Sequence, residues 1–452
     1  MRQPAQVDFT RGPVLKQIIR FGIPMLIGNL FQQLYTIVDS ILLGRLVGAP
    51  ALAAAGTTTP VIMLMLAIIS GLTLGTSLVT AALTGAGEED RVRSLVESTF
   101  CIDMLAGAGM ALIAFCFPAR ILTILRTPQE VLPLAAAYLR IIAVGIVFQC
   151  ASQYFADALR GLGDSRTPLY FLLLSTCMNI ALDIVFTACL RLGIRGVAWA
   201  TVISQSVSAV LCAVYSLKHY NCFHLNWNPR LVNRELLWRA MRLGLPTAMQ
   251  QTVGSVGALF MQSVVNGFGQ VAMNAYGAAY KVDNFIILPV SNMGAALGTF
   301  TAQNVGARKF ARARQGFWKV SGLCAALSVV LSGVIFALAA PLVQIFVTAG
   351  ETEIVREGAR GLRILAVPYV LCAQLALYMS FFKGAGDVRV AFFGSFAQVM
   401  IRLVLCWSLA PVIGMDAVWF AMPATWVIMG LFSFLYDRRQ NWEERWRTSL
   451  RV

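Results

Sequence analysis

Apolar runs of roughly 20 to 30 residues, separated by short charged or Gly/Pro-rich breaks, recur along the whole chain. A helix of about 20 residues crosses the ~30 Å hydrocarbon core of a bilayer. Only 13% of the 452 residues are charged and 58% are hydrophobic, whereas soluble domains carry about 25% charged residues. The chain is therefore predicted to be an all-α membrane protein.

These runs predict twelve transmembrane helices, near residues 17–44, 51–83, 94–117, 132–158, 167–190, 196–217, 240–266, 271–304, 318–340, 359–382, 390–412 and 416–436. They form a six-helix N-terminal lobe (1–217) and a six-helix C-terminal lobe (240–436). A cytoplasmic loop (218–239) is expected to join the lobes, and a cytoplasmic tail (437–452) to follow them.

Lysine and arginine are concentrated in alternate loops. With the N-terminus inside, the loops on that side hold roughly 25 of these residues and the opposite side about six. This asymmetry predicts a bacterial-type cytoplasmic (inner) membrane protein with both termini in the cytoplasm and no cleaved signal peptide. The net charge of +15 is spread over those loops, so nucleic-acid binding is not expected.

Sequence patterns recur at an offset of roughly 222 residues, as an internal duplication would leave them. Residues 160–164 (RGLGD) return as 383–387 (KGAGD), and residues 139–144 (LRIIAV) return as 362–367 (LRILAV). Because six spans is an even number, both lobes have the same orientation in the membrane. They are expected to be related by a pseudo-two-fold axis along the membrane normal.

Three carboxylates lie well inside predicted spans, namely Asp39, Asp103 and Asp183. An ionised acid near mid-bilayer costs about 2.5 to 3.5 kcal/mol, so each needs a function or a buried partner. Counted from the nearest outer arginines, Asp39, Asp183 and Thr201 lie at one depth, roughly 9 to 12 Å below the outer boundary. These acids could instead pair with arginines or cap helix breaks, and the role of Asp103 stays open.

Asn179 lies one helical turn before Asp183 on the same face. Two carboxylates, an amide and a hydroxyl supply the oxygen ligands that a hard cation such as Na⁺ requires. The same groups would equally hold a proton on a carboxyl group near neutral pH. The residues therefore predict a cation site and leave proton and sodium as alternatives.

The second lobe lacks an equivalent of this acid cluster, because Met261 and Cys406 occupy the matching positions. It carries Lys281, Asp283 and Arg402 within predicted spans. One interpretation is a buried pair between Asp283 and Arg402, and the roles of these three residues stay open.

Residues 22–24 (GIP), 38–45 (VDSILLGR) and 160–164 (RGLGD), together with Asn179 and Asp183 followed by Thr201, resemble the multidrug and toxic compound extrusion (MATE) transporters over nearly the whole chain. The resemblance implies a V-shaped bundle of two lobes that exports amphipathic, often cationic, compounds in exchange for protons or sodium ions.

The same resemblance implies that Asp39, Asn179, Asp183 and Thr201 form the N-lobe cation-coupling site, where any Na⁺ would bind. It implies that Gln32, Tyr35 and Gln153 line the neighbouring substrate cavity. One branch of the family couples through a glutamate in span seven, and here that position is Gly254. The chain therefore looks closer to the branch named for a DNA-damage-inducible member.

The sequence thus predicts a secondary active antiporter that works by alternating access, with Pro24 as the hinge of span one. The alternative is a lipid-linked oligosaccharide flippase of the same superfamily, whose cavity would need more cationic residues for the pyrophosphate. An enzyme is not expected, and neither is a cofactor other than the coupling H⁺ or Na⁺. The expected partners are a small-molecule substrate and membrane lipids, and the protein is expected to be a monomer.

Overall fold

A computed structural model describes residues 6–223, 233–347, 350–442 and 444, and α-helices make up most of this part of the chain. The helices before residue 224 are α1 (Val14–Leu42), α2 (Ala49–Ala86), α3 (Glu89–Cys116), α4 (Pro118–Ile124), α5 (Leu132–Leu162), α6 (Arg166–Ile184) and α7 (Ile194–His219). The later helices are α8 (Arg234–Asn266), α9 (Gln270–Gly306), α10 (Phe310–Gln344), α11 (Thr352–Ala366), α12 (Tyr369–Gly384), α13 (Val388–Ile413) and α14 (Asp416–Arg439).

The helices agree with the predicted all-α membrane fold. Among the described residues, ten helices are long and apolar enough to cross a membrane, and the bent pair α11–α12 makes an eleventh span. Helix α8 has the length expected of the twelfth transmembrane span. It begins at Arg234, although the span was predicted to begin near residue 240, so part of the expected 218–239 loop is helical. The predicted tail from residue 445 onward lies outside the described residues.

The tenth span, predicted as a continuous helix over 359–382, is broken. Helices α11 and α12 meet at an angle of 60°, and Pro368 stands between them. Proline lacks a backbone N–H and clashes with the carbonyl four residues earlier, so a helix rarely passes through it undisturbed.

The chain divides into two compact units, each of which takes a segment from the other half of the sequence. Unit 1 comprises Met1–Asp8 and Ile23–Ala248, and unit 2 comprises Phe9–Gly22 and Met249–Val452. The chain passes from one unit to the other twice within a long helix. In α1 this point lies beside Pro24, and in α8 it lies two residues after Pro246. The lobe limits 1–217 and 240–436 stay a prediction.

Close helix packing in unit 1 depends on small residues. A Cβ atom at Gly71 would lie 2.2 Å from the backbone of Ala248, and one at Gly75 would lie 2.5 Å from the backbone of Gly244. The Gly71-x-x-x-Gly75 spacing puts both glycines on one face of α2, which lets its backbone approach α8.

The two repeated glycine–aspartate turns have similar local structures. Gly163 and Gly386 both have a positive φ, of 96° and 85°, which favours glycine. The aspartate that follows each glycine accepts a hydrogen bond from a tyrosine hydroxyl near the end of its own half. The tyrosine is Tyr220 in the first half and Tyr436 in the second. The internal duplication inferred from the sequence is therefore visible in the side-chain contacts.

Candidate functional site

Three helices of unit 1 bring the predicted cation-site residues together. Helix α1 carries Asp39, α6 carries Asn179 and Asp183, and α7 carries Thr201. The carboxyl groups of Asp39 and Asp183 lie within side-chain contact of each other. These four residues, which we call the acid cluster, therefore form one group although the first and the last are 162 positions apart in the sequence.

Asn179 bridges the acid cluster. In the amide orientation that satisfies its neighbours, its nitrogen donates to Asp183 Oδ2 at 3.0 Å and its oxygen accepts from the Thr201 backbone N–H at 3.2 Å. The Tyr35 hydroxyl lies 3.4 Å from Thr201 Oγ1. Tyr35 was predicted to line the substrate cavity, and in the structure its hydroxyl adjoins the acid cluster.

Both acid-bearing helices change geometry within four residues after their acid. Helix α1 continues into a π-helical turn at Leu43–Val47, and α6 continues into one at Val185–Cys189. Single π-helical turns are rare and often mark functional sites. The sequence analysis offered no signal for these turns, because they depend on how the two helix ends pack.

Asn179 and Asp183 of the acid cluster are buried, Asp39 and Thr201 are half-buried, and the cluster has free acceptor capacity. Asp183 is fully buried and Asn179 is 2% exposed. Within the described residues, one carboxylate oxygen of Asp39 and one of Asp183 have no hydrogen-bond partner. Carboxylate, amide and hydroxyl oxygens suit a hard cation or a proton.

A polar cavity of about 250 Å³ lies in unit 1 and is lined in part by α1, α6 and α7, the helices that carry the acid cluster. Its amide side chains are Asn29, Gln32, Gln149, Gln153 and Gln205, and its hydroxyl side chains are Ser70, Ser152 and Ser208. The lining therefore includes Gln32 and Gln153, two of the three side chains expected in the substrate cavity.

An acid that the sequence analysis missed organises one wall of this cavity. Asp157 on α5 is 4% exposed. Its Oδ1 accepts from Arg160 Nη1 at 2.7 Å, and its Oδ2 accepts from Thr73 at 2.6 Å and Gln153 at 3.0 Å. The signal was the spacing Gln153, Asp157, Arg160, which places all three on one helix face.

The other acids inside spans have different surroundings. Asp103 on α3 is 1% exposed, and both its carboxylate oxygens lack a partner within the described residues. Asp283 accepts a hydrogen bond from the Tyr369 hydroxyl. No ion pair joins Asp283 to Arg402 in the described part of the chain, so the suggested buried pair is replaced by a tyrosine contact. Lys281 lies over the Phe346 ring, 5.5 Å from its centroid.

Comparison with known proteins identifies the family. The MatE family model matches residues 24–185 and 246–408, two stretches that begin 222 residues apart. The chain belongs to the MatE family. The repeat predicted from the RGLGD and KGAGD turns is thereby confirmed, since each half matches the same model.

Curated relatives of this MatE protein include proteins of two bacteria. It is 30% identical to the protein named "Probable multidrug resistance protein YpnP" of Bacillus subtilis (strain 168), over 96% of this chain and 97% of that protein. It is 23% identical to "Multidrug export protein MepA" of Staphylococcus aureus (strain NCTC 8325 / PS 47), over 91% and 90% of the two chains.

Solved structures share the fold. One described as the "Outward-facing conformation of a multidrug resistance MATE family transporter of the MOP superfamily" is 22% identical and covers the whole of both chains with a TM-score of 0.91. The "Crystal structure of MATE in complex with MaL6" also covers both chains completely, with a TM-score of 0.90. The chain is thus a multi-pass membrane protein of a multidrug efflux transporter family, with the predicted two-lobe fold.

Proposed function

We propose that this MatE protein is a secondary active antiporter that exports small amphipathic compounds, and that the acid cluster is its cation-coupling site. The observation that carries the proposal is the contact between the half-buried Asp39 and the fully buried Asp183, two acids on different helices of one unit. Two close carboxylates repel each other unless a cation or a proton lies between them. Cation binding therefore changes the free energy of the contact between α1 and α6.

The cavity and the acid cluster share helices, which supports coupling between them. On α1, Gln32 lines the cavity and Tyr35 adjoins the cluster; on α7, Gln205 lines the cavity and Thr201 belongs to the cluster. Residues three or four apart are neighbours on a helix face. A ligand in either place thus acts on the same two helices.

Antiport follows if the coupling cation and the substrate favour different conformations of these helices. We place the hinge at Pro24, because the missing backbone N–H weakens α1 there and α1 passes from unit 2 to unit 1 between Gly22 and Ile23. The proposal includes both termini in the cytoplasm, a monomer in the inner membrane, and membership of the DNA-damage-inducible branch. The flippase alternative finds no support among the relatives.

The test is efflux of ethidium from proteoliposomes that contain the full chain, driven by an imposed proton or sodium gradient. The expected result is export driven by one gradient, which identifies the coupling ion. Asp39→Asn and Asp183→Asn should each abolish this export. Asp90→Asn is the matched control, because Asp90 is exposed in the first turn of α3. Wild-type export rates in both cluster variants would contradict the proposal. A wild-type protein that exports ethidium under neither gradient would also contradict it.

A further inference from the structure

An open groove of about 630 Å³ lies on unit 2 between α10, α11 and α14. Two of its lining side chains are arginines, Arg360 and Arg363, and no acid is among the described residues that line it. The rest of the lining, which forms the floor, is apolar and consists of Phe336, Ile364, Val367, Pro368, Phe420 and Pro423. We call this surface the arginine groove. It combines two cations with an apolar floor, which suits an anion that carries an apolar chain.

The two arginines stand at one end of the groove. Arg360 forms an ion pair with Asp416, the first residue of α14, so this end lies at the level where that span begins. Val367 lies two turns further along α11, about 10 Å at 1.5 Å per residue. Phe420 and Pro423 lie about one and two turns into α14. The charged end is therefore at the edge of the apolar span, and the apolar floor extends from it into the bilayer.

Both guanidinium groups keep donors for a ligand. Arg363 donates through Nε to the Phe336 carbonyl oxygen at 3.4 Å, and this is the one protein hydrogen bond that it makes within the described residues. Arg360 contacts Asp416 through Nη2 alone. Residues three apart are neighbours on a helix face. The two planar groups therefore offer a set of N–H donors that suits a phosphate.

The first half of the chain shares one of these contacts and lacks the rest. Residues 136–145 (AAYLRIIAVG) match residues 359–368 (ARGLRILAVP) in the repeat. Arg140 donates through Nε to a phenylalanine carbonyl oxygen at 3.3 Å, which is the contact that Arg363 makes in the second half. The repeat puts an alanine against the other groove arginine and a glycine against the proline at the helix break, and α5 is continuous there. The second arginine and the break between α11 and α12 therefore belong to the second half alone.

We propose that the arginine groove binds an anionic phospholipid, with the phosphate on Arg360 and Arg363 and one acyl chain along the apolar floor. Charge complementarity favours an anionic head group, since the two arginines share a single carboxylate partner, Asp416. The apolar floor favours a lipid over a soluble phosphate, because each methylene group buried on it adds to the affinity. In the orientation proposed above, this lipid comes from the outer leaflet. Neither the coupling ion nor the exported substrate enters the inference.

Three probes test the charge and the chain separately. Dioleoylphosphatidylglycerol is the anionic lipid, dioleoylphosphatidylethanolamine has the same acyl chains and no net charge, and glycerophosphoglycerol is the anionic head group without chains. Native mass spectrometry of the purified full chain, titrated with each probe in detergent, measures the affinity of the first molecule bound. Phosphatidylglycerol is expected to bind about tenfold more tightly than phosphatidylethanolamine. The head group alone should not bind at the same concentrations.

Variants locate the site. Arg363→Gln should weaken the first phosphatidylglycerol about tenfold, because a charge-assisted contact is lost, and Arg363→Lys should restore part of the loss. Arg140→Gln is the matched control: it removes the corresponding contact to a backbone carbonyl in the first half and should leave the affinity unchanged. Val367→Gln makes the floor polar at a side chain that is 74% exposed, and it should weaken both phospholipids.

The wild-type order of affinities tests the proposal even if a variant fails to fold. Equal affinity for the two phospholipids would overturn it, because the arginines would then not select a charge. Binding of glycerophosphoglycerol as tight as that of phosphatidylglycerol would also overturn it, since the groove would then be a site for soluble oxyanions. The same phosphatidylglycerol affinity in wild type, Arg363→Gln and Arg140→Gln would place the lipid elsewhere. No ion gradient is present, so these outcomes are independent of the ethidium experiment.

Discussion

The Tyr220 hydroxyl donates a 2.6 Å hydrogen bond to Oδ2 of Asp164, a fully buried carboxylate in the turn between α5 and α6. The same carboxylate accepts from the backbone N–H of Arg166 and from both the backbone and the hydroxyl of Thr167. The end of α7 is thereby tied to the start of α6.

Removing the tyrosine hydroxyl should destabilise this turn. Tyr220→Phe leaves a buried carboxylate with one donor fewer, which costs about 1 to 3 kcal/mol. A lower thermal midpoint of the purified protein is therefore expected. Tyr170→Phe is the control, because Tyr170 is 63% exposed. Equal midpoints for the two variants would show that the Tyr220 bond contributes nothing.

A methyl group at Gly75 should weaken the packing of α2 against α8. Its Cβ would lie 2.5 Å from the carbonyl oxygen of Ala240 and from the backbone of Gly244, so the helices must separate. A loss of about 1 to 3 kcal/mol is expected for Gly75→Ala, measured as a lower midpoint in chemical or thermal unfolding. At Gly109 a Cβ meets nothing within 4 Å. Gly109→Ala should therefore leave the unfolding midpoint unchanged. A similar loss of stability in both variants would contradict the packing argument.

Loss of the Asn179 amide should uncouple transport without unfolding the protein. Asn179→Leu removes the bridge between Asp183 and the Thr201 backbone, and a hydrogen bond to a charged group is worth about 1.5 to 3 kcal/mol. Gradient-driven ethidium export should fall by about tenfold or more. Cys177→Leu, an exposed position on the same helix, should transport normally. Unchanged export in Asn179→Leu would remove this residue from the coupling site.

Arg312 should protect the segment just before α1 within unit 2. Its guanidinium donates to the carbonyl oxygens of Phe9 at 2.9 Å, Arg11 at 3.0 Å and Gly12 at 2.8 Å. Arg312→Ala removes all three contacts, so trypsin should cleave after Arg11 several times faster, because cleavage follows local opening.

Lys319→Ala is the control for this measurement, since Lys319 is exposed on the same helix as Arg312. The cleavage rate after Arg11 should match wild type in Lys319→Ala. If Arg312→Ala also matched wild type, the other contacts of the segment would suffice to hold it, namely the fully buried Phe9 ring and the hydrogen bond from Lys309 to the Thr10 carbonyl.

Much of the fold could be read from the chain because hydrophobic length and charge asymmetry are local properties. The spans came from the length of apolar runs, the repeat from recurring motifs, and the grouping of Asp39 with Asp183 from counting residues along helices of known rise. The start of α8 was misplaced because its first turns carry Arg234, Glu235 and Arg239. Polar residues at a helix end look like a loop when only hydropathy is considered.

The side-chain partners of the buried acids were only partly predictable from the sequence, for a different reason. Asp157 was overlooked, although its spacing from Gln153 and Arg160 was visible, because that spacing alone does not show that Thr73 of α2 completes the contact. The partner of Asp283 was assigned to Arg402 by charge, whereas the structure supplies Tyr369. Which neutral group faces a buried acid depends on helix rotation, which a single sequence does not specify.

The sequence by itself determined that this chain is a duplicated helical membrane protein with an acid cluster in its first half, because membrane thickness and helix rise leave few alternatives. Tertiary structure alone decided which side chains face one another: the Asn179 bridge, the cavity with Arg160 at one end, and the glycine contact of α2 with α8. Those depend on the rotation and approach of whole helices, which many weak packing contacts set together.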